Sequence, residues 1–241
     1  MLKSIKIVLC QPSHPGNIGA AARALKTMGL KKLVLVAPER FLSQEALERS
    51  AGAEDVLREA QIMPTLWEAV SDCEVIFGTS TRIRQVPWPL LSARACAAKI
   101  MDYPNPAKIA IVFGTERSGL TTEELSLCHY HVTIPANPEY EALNLSQAVQ
   151  VVCYEVYQAY LERQEKPETM PLTEQASLED VMGVFDHLLE VLSRTEFIDP
   201  KPTRMLILRL KRLLFKARLE TEEVNILRGI FKAILQKLPQ V

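Results

Sequence analysis

Ile109-Ala110-Ile111-Val112-Phe113-Gly114-Thr115-Glu116-Arg117-Ser118-Gly119-Leu120 is the stretch that decides the fold. It opens on an unbroken apolar run rich in β-branched side chains, the composition of a strand covered on both faces. The run ends in a loop bracketed by Gly114 and Gly119, and Thr121 with Glu124 three residues on gives a capping-box signal for a following helix. Strand, glycine loop and helix in that order suit a ligand-binding turn, because ligands of open α/β sheets sit beyond the carboxyl ends of the strands. A tight turn alone would need the glycines but not the charged pair Glu116-Arg117 between them. The spacing approaches that of a P-loop, yet Leu120 stands where lysine is required, which disfavours a nucleoside triphosphate.

Similar apolar runs recur outward from this segment, at Ile5 to Cys10, Leu33 to Val36, Glu74 to Phe77, Lys108 to Phe113 and His131 to Ile134. Helix-like stretches separate them, including Gly16 to Met28, Gln44 to Ser50 and Leu90 to Ile100. The alternation predicts an α/β fold with a mostly parallel sheet. Leu145, Ala148, Val149, Val152, Val156 and Tyr160 repeat at helical spacing, so a long amphipathic helix closes a first domain at 1–163. Residues 164–177 (QEKPETMPLTEQAS) are polar, carry two prolines and read as a linker. Residues 178–241 lack any strand signal, and Leu178 to Leu192, Arg204 to Ala217 and Glu222 to Leu238 read as three helices. Such a C-terminal all-α extension, at about 65 residues, is marginal as an independent unit.

Hydrophobic residues make up 48% of the chain, enough for a real core, and the net charge is −1. A partner as acidic as RNA would therefore need a local basic patch rather than the field of the whole molecule. The most basic segment, from Arg204 to Arg218, contains Arg204, Arg209, Lys211, Arg212, Lys216 and Arg218 with no acidic residue. It reads either as an RNA-contacting helix or as a solvated face. Five cysteines without a Cys-x-x-Cys pair point to reduced thiols in the cytosol, not to a disulfide frame or a zinc site. The first residues lack the apolar stretch of a signal peptide, and no run is long enough to span a membrane.

Three further segments carry chemistry. Pro15-Gly16-Asn17-Ile18-Gly19-Ala20-Ala21-Ala22-Arg23 follows the first strand, with Asn17 as an N-cap and Gly29 as a C-terminal stop. Gly19, Arg23 and Lys26 share a helix face that offers two cations, and the helix start can hold an anion. A Rossmann fingerprint is not met, since Gly16 and Gly19 lack the required spacing. In Ile134-Pro135-Ala136-Asn137-Pro138-Glu139-Tyr140-Glu141-Ala142-Leu143-Asn144-Leu145-Ser146, Asn144 or Ser146 can cap the long helix. Finally, Thr79-Ser80-Thr81-Arg82-Ile83-Arg84, with Trp88 beyond, lies at a strand end. The arginines suit phosphate contacts, and Trp88 suits base stacking or a packed loop anchor. His129 and His131 lack a third ligand at metal spacing and read as structural, and Ser118 has no nucleophile elbow around it.

Taken in order, these segments resemble the three motifs of the SpoU-type branch of SPOUT RNA methyltransferases. The matching positions are Asn17-x-Gly19-x-x-x-Arg23, Phe113-Gly114-x-Glu116-x-x-Gly119-Leu120, and Leu143-Asn144-Leu145-Ser146 leading to Tyr154-Glu155. Many members carry a glycine in the loop after Ile-Pro, where Pro138 and Glu139 stand here; this shifts the likeness toward a tRNA-modifying group within the branch. Cys128 to Val132, Asn137 to Tyr140 and the tail Asn225-Ile226-Leu227-Arg228-Gly229-Ile230 are similar to that group as well.

The resemblance implies a parallel sheet ending in a deep trefoil knot, and a homodimer in which Arg23 faces the partner's cofactor. It implies metal-independent methyl transfer from S-adenosyl-L-methionine to the ribose 2′-hydroxyl of cytidine or uridine, at the first nucleotide of the tRNA anticodon loop. Ribosomal RNA, another tRNA site, or RNA binding without catalysis are the competing expectations. Arg23 would activate the hydroxyl, with Asn17 and Ser146 holding Arg23 or the ribose. The cofactor would lie against Thr79, Ser80, Thr81, Gly114, Glu116, Gly119, Ile134, Leu143, Asn144 and Leu145. RNA would meet Arg82, Arg84, Trp88, Arg204, Arg209, Lys211 and Arg212.

Overall fold

The computed structural model describes residues 1–80, 89–164, 175–198 and 204–238. It forms two compact units, Met1–Leu172 and Thr173–Val241, which divide inside the stretch read as a linker. In chain order the first unit comprises β1 (Lys6–Cys10), α1 (Pro15–Thr27), β2 (Lys32–Val36), α2 (Gln44–Ser50), α3 (Glu54–Arg58), β3 (Gln61–Met63), α4 (Leu66–Val70) and β4 (Val75–Thr79). It continues through β5 (Leu90–Ser92), α5 (Ala93–Met101), β6 (Ile109–Phe113), α6 (Thr122–Leu125), β7 (Tyr130–Thr133) and α7 (Leu145–Gln164).

The sheet runs β3-β2-β1-β6-β4-β7-β5 in space. Every pair in it is parallel. The expected α/β class and parallel sheet are therefore the observed ones. Strand β6 lies between β1 and β4, and all five of its residues are buried, which is why its sequence is unbroken apolar rather than alternating. Helices α1, α5 and α7 pack their small and aliphatic residues into the same core, among them Ala21, Ala22, Leu25, Cys96, Ala97, Val149 and Val152.

Two strands were absent from the sequence reading. Strand β3 is a short, largely exposed edge with no hydrophobic alternation to mark it. Leu90–Ser92, read as the start of a helix, instead pairs with β7 as β5, and Ser92 then caps α5 by accepting a hydrogen bond from the Ala95 N–H at 3.1 Å.

Helix α1 also departs from its reading. It begins at Pro15 with His14 as its cap, the His14 ring accepting from the Gly16 N–H at 3.2 Å, so Asn17 lies within the first turn. Gly19 is not on an open cationic face. A Cβ there would stand 2.1 Å from the Ala46 carbonyl oxygen, so this glycine lets α1 and α2 approach backbone to backbone. Lys26 pairs with Asp55 at 2.8 Å and with the Gly52 carbonyl at 3.0 Å, and both Lys26 and Arg23 are exposed.

All five cysteines are free and buried, and burial raises the pKa of each thiol. His129 accepts from the Ile76 N–H and His131 bonds the Ser80 carbonyl, so both histidines brace strand ends. Among the described residues, no helix is long and apolar enough to cross a membrane, and no cluster of three or more His, Cys, Asp or Glu is placed to hold a metal.

The second unit contains α8 (Leu178–Arg194), α9 (Arg204–Ala217) and α10 (Thr221–Lys237). Val181, Val184, Phe185, Leu214, Phe215 and Val224 form its small core. The cations of the basic helix α9 differ in exposure. Arg204, Arg209 and Lys216 are exposed, whereas Arg212 is half-buried and the Lys211 ammonium sits 5.4 Å from the centre of the Phe185 ring. Burial lowers the Lys211 pKa, partly offset by Asp186.

Candidate active site

A cavity of about 210 Å³ opens at the carboxyl ends of the central strands. Its wall includes Thr79 and Ser80 after β4, the Phe113-to-Gly119 loop after β6, Val132 and Ile134 at β7, and Ala142, Leu143, Leu145 and Ala148 around the start of α7. Of the residues assigned to the cofactor, Thr79, Ser80, Gly114, Glu116, Gly119, Ile134, Leu143 and Leu145 share this wall. Asn144 adjoins it, while Thr81 lies outside the described residues, as do Arg82, Arg84 and Trp88. Phe113, Thr115, Arg117, Ser118, Val132, Ala142 and Ala148 also line it without having been assigned to the cofactor; the apolar ones look the same as core positions in sequence.

The glycine loop is built by close backbone approach. A Cβ on Gly114 would fall 2.0 Å from the Gly119 carbonyl carbon and 2.1 Å from the Leu120 nitrogen. The loop folds back on itself through a Gly119 N–H bond to the Thr115 carbonyl at 3.0 Å, and Gly119 takes φ +65°. The Thr115 and Ser118 hydroxyls meet at 2.8 Å across the turn. Leu120 is buried, and the Thr121–Glu124 capping box expected from the sequence then starts α6.

Glu116 leaves this loop toward α1. One carboxylate oxygen accepts from the Ser13 N–H at 3.2 Å and the Ser13 hydroxyl at 3.0 Å. The other accepts from the His14 N–H at 3.3 Å and the Asn17 side-chain amide at 3.0 Å. The anion held at this helix start is thus the chain's own carboxylate. Ser13 and His14 were missed by the sequence reading, although a polar pair ahead of Pro15 is itself a helix-start signal. Asn17 in turn accepts from the Asn144 amide at 3.0 Å, and the Asn144 carbonyl oxygen accepts from the Ser146 N–H at 2.9 Å and the Ser146 hydroxyl at 2.7 Å. Asn144 is therefore the residue that caps α7. One hydrogen-bonded chain, Glu116–Asn17–Asn144–Ser146, joins all three motifs. Asn17 and Ser146 hold each other's neighbour rather than projecting freely, and Arg23 lies two turns along α1, outside the cavity wall.

Burial raises the Glu116 pKa, but the hydrogen bonds from Asn17, its own backbone, Ser13 and His14 outweigh it and leave the pKa below 4.5. A depressed folded-state pKa means that the contribution is present above the unfolded value and lost as pH falls through the folded one. Glu116→Gln is expected to destabilise the first unit by about 1 kcal/mol at pH 7, since an amide nitrogen would face donors at a partly solvated site. Urea unfolding should show the gap between wild type and variant closing once Glu116 is protonated. A gap that persists unchanged into acid would mean that the charge does not hold the motifs together.

Residues 4–154 match the SpoU rRNA Methylase family, and residues 179–240 match the family described as tRNA methyltransferase TrmJ, C-terminal domain. The chain is 46% identical over 98% of its length to the Klebsiella pneumoniae tRNA (cytidine/uridine-2'-O-)-methyltransferase TrmJ, covering 98% of that protein. It is also 46% identical to the Pseudomonas aeruginosa tRNA (cytidine/uridine/adenosine-2'-O-)-methyltransferase TrmJ, over 95% of this chain and 93% of the relative. The crystal structure of TrmJ from Z. mobilis superposes with a TM-score of 0.83 at 33% identity, covering 96% of this chain and 99% of the other. With both of its segments and its full length matched in this way, the chain belongs to the SpoU methylase family and, within it, to the TrmJ methyltransferases.

Proposed function

We propose that this protein methylates the ribose 2′-hydroxyl of cytidine or uridine at the first nucleotide of the tRNA anticodon loop, using S-adenosyl-L-methionine, as a cytosolic homodimer. The observation that carries the reading is the Glu116–Asn17–Asn144–Ser146 chain, which locks three sequence-distant motifs at the edge of one cavity. The cavity wall fits a nucleoside: Phe113, Val132, Ile134, Leu143 and Leu145 offer apolar contact, and the turn at Gly114 to Gly119 offers backbone groups. At about 210 Å³ it is smaller than the roughly 300–1,000 Å³ of common ligand pockets, so part of the cofactor would lie beyond it, toward a partner subunit. The deep knot of the family belongs to the same reading, supported by the insertion of β7 between β4 and β5.

The cofactor, when bound, supplies a methyl group on a sulfonium. The remaining work is positioning and charge. Arginine side chains keep their proton in proteins, so Arg23 would orient the hydroxyl and a neighbouring phosphate and stabilise negative charge developing on the ribose oxygen. Asn17 and Ser146 support it indirectly, by fixing α1 against the start of α7. The C-terminal unit would add phosphate contacts through Arg204, Arg209 and Lys216.

The direct test is methylation of purified tRNA by the full chain with S-adenosylmethionine, with and without chelator, followed by mapping of ribose methylation. Methylation of the first anticodon-loop nucleotide, unchanged by chelator, is expected; transfer to a different site or to ribosomal RNA would overturn the assignment. A second measurement addresses the basic helix. Replacing Arg204, Arg209 and Lys216 with glutamine should weaken tRNA binding and reduce the log–log salt slope by about 2 to 3, at roughly 0.7 to 0.9 per phosphate contact. An unchanged slope would show that α9 is a solvated face.

A further inference from the structure

The loop at 135–141 borders the cavity but takes no part in the hydrogen-bonded chain that joins the motifs. Ile134 at one end of it, and Ala142 and Leu143 at the other, belong to the cavity wall. Between them Asn137 opens a tight turn with Pro138 at its second position. The Asn137 backbone carbonyl accepts from the Tyr140 N–H at 2.8 Å, and its side-chain oxygen accepts from the Glu139 N–H at 3.1 Å. The backbone under Tyr140 is thereby fixed, while its side chain is 77% exposed. A lone exposed aromatic needs no explanation of its own. This one stands two residues from the wall, and two residues of chain span at most about 7 Å.

The neighbours of Tyr140 define what it can receive. Glu139 and Glu141 flank it as exposed carboxylates, which repel a phosphate at this point. Arg117, an exposed cation of the cavity wall, is better placed to take one. A base is uncharged and offers a flat face. Transfer of a methyl group to a ribose requires the nucleotide that bears it to be held, and unpaired loop bases are held by stacking on aromatic rings. Phe113, the aromatic side chain of the wall, is buried, whereas Tyr140 has an open face. We infer that the Tyr140 ring stacks on the base of the nucleotide whose ribose is methylated. This contact rests on the proposed ribose methylation and names a residue that holds its substrate. The turn is formed before binding, so only the torsions of the ring are ordered on contact. Stacking reads the face of a base and not its edge, which suits a site that takes cytidine or uridine.

Methylation by the full chain of two ligated tRNAs tests this. One is intact; the other lacks only the base at the first anticodon-loop nucleotide and keeps its ribose. On intact tRNA, Tyr140→Ala should lower kcat/KM on the order of 10- to 100-fold, and Tyr140→Phe by less than about threefold, because phenylalanine keeps the flat face. On the base-free tRNA, wild type and Tyr140→Ala should agree within about threefold. Fluorescence anisotropy of the labelled tRNAs, with S-adenosylhomocysteine present, gives the same comparison as affinities if the base-free tRNA is methylated too slowly to follow. Calorimetric titration of S-adenosylhomocysteine should be unchanged in both variants, which shows them folded. Equal values for wild type and Tyr140→Ala on intact tRNA would overturn the contact, and an equal loss in Tyr140→Phe would assign the effect to the hydroxyl instead. A deficit that persists on the base-free tRNA would also overturn it and move Tyr140 to a phosphate, a neighbouring base or a partner subunit. A wild type that methylates no tRNA ribose would overturn the proposed activity, and this contact with it.

Discussion

Gly114→Ala is expected to reduce cofactor affinity on the order of a hundredfold and to lower thermal stability, while Gly119→Ala is expected to do much less. The difference comes from what each added methyl meets. At Gly114 the new carbon would overlap the backbone of Gly119 and Leu120 at 2.0 and 2.1 Å, and backbone atoms have no rotamer to escape into. Ordinary carbon contacts lie near 3.5 to 4.0 Å, so the turn must open by more than an ångström. Overpacking of this kind costs about 1–3 kcal/mol. Because the turn is the cavity wall, a cost of about 3 kcal/mol in the bound geometry corresponds to roughly a hundredfold in affinity. At Gly119 the methyl enters open space and the penalty comes only from φ +65°, about 1–2 kcal/mol. Calorimetric titration of S-adenosylhomocysteine against the three proteins, with melting curves alongside, measures both effects. Equal affinities for wild type and Gly114→Ala would show that the turn is not part of the cofactor site.

Arg23→Ala should behave in the opposite way, losing methyl transfer by about 10²- to 10³-fold while keeping its melting curve and its S-adenosylhomocysteine affinity. The magnitude is that of removing one preorganised donor to developing negative charge. Stability should hold because Arg23 is exposed on α1, and affinity should hold because Arg23 is outside the cavity wall. Retention of more than about a tenth of the rate would limit its contribution to about 1.4 kcal/mol and remove it from a central role. That same displacement from the wall motivates a complementation test. In an equimolar mixture of Arg23→Ala and Gly114→Ala chains, random exchange makes half the dimers mixed, each with one site intact if the site is shared. Activity should then return to about a quarter of wild type. A mixture no more active than its components would place Arg23 and the glycine turn of one chain in the same site.

Much of this architecture is written in local sequence. The unbroken run at Ile109 to Phe113 specified a strand buried on both faces, and β6 is that strand, paired on both sides. Thr121 with Glu124 specified a capping box, and the segment Arg204–Ala217 specified a helix with those bounds. These readings succeed because hydrophobic period and capping act over a few residues. The motif order was legible as well, and Thr79, Ser80, Gly114, Glu116, Gly119, Ile134, Leu143 and Leu145, all assigned to one ligand, share one cavity wall.

Tertiary structure decided the rest. Asn17 looks like a helix cap in sequence, but its amide is committed to Glu116, 99 positions away, and its carbonyl oxygen to Asn144, 127 positions away. Leu90–Ser92 has the composition of a helix start and becomes a strand only because β7 offers it an open edge. Gly19 reads as part of a cationic face until α2 closes on it, and Lys211 as a free cation until Phe185 lies beneath it. In each case the local signal was compatible with two states of similar free energy. A partner brought by the fold from far along the chain chose between them, and spacing along a sequence does not encode which partner that will be.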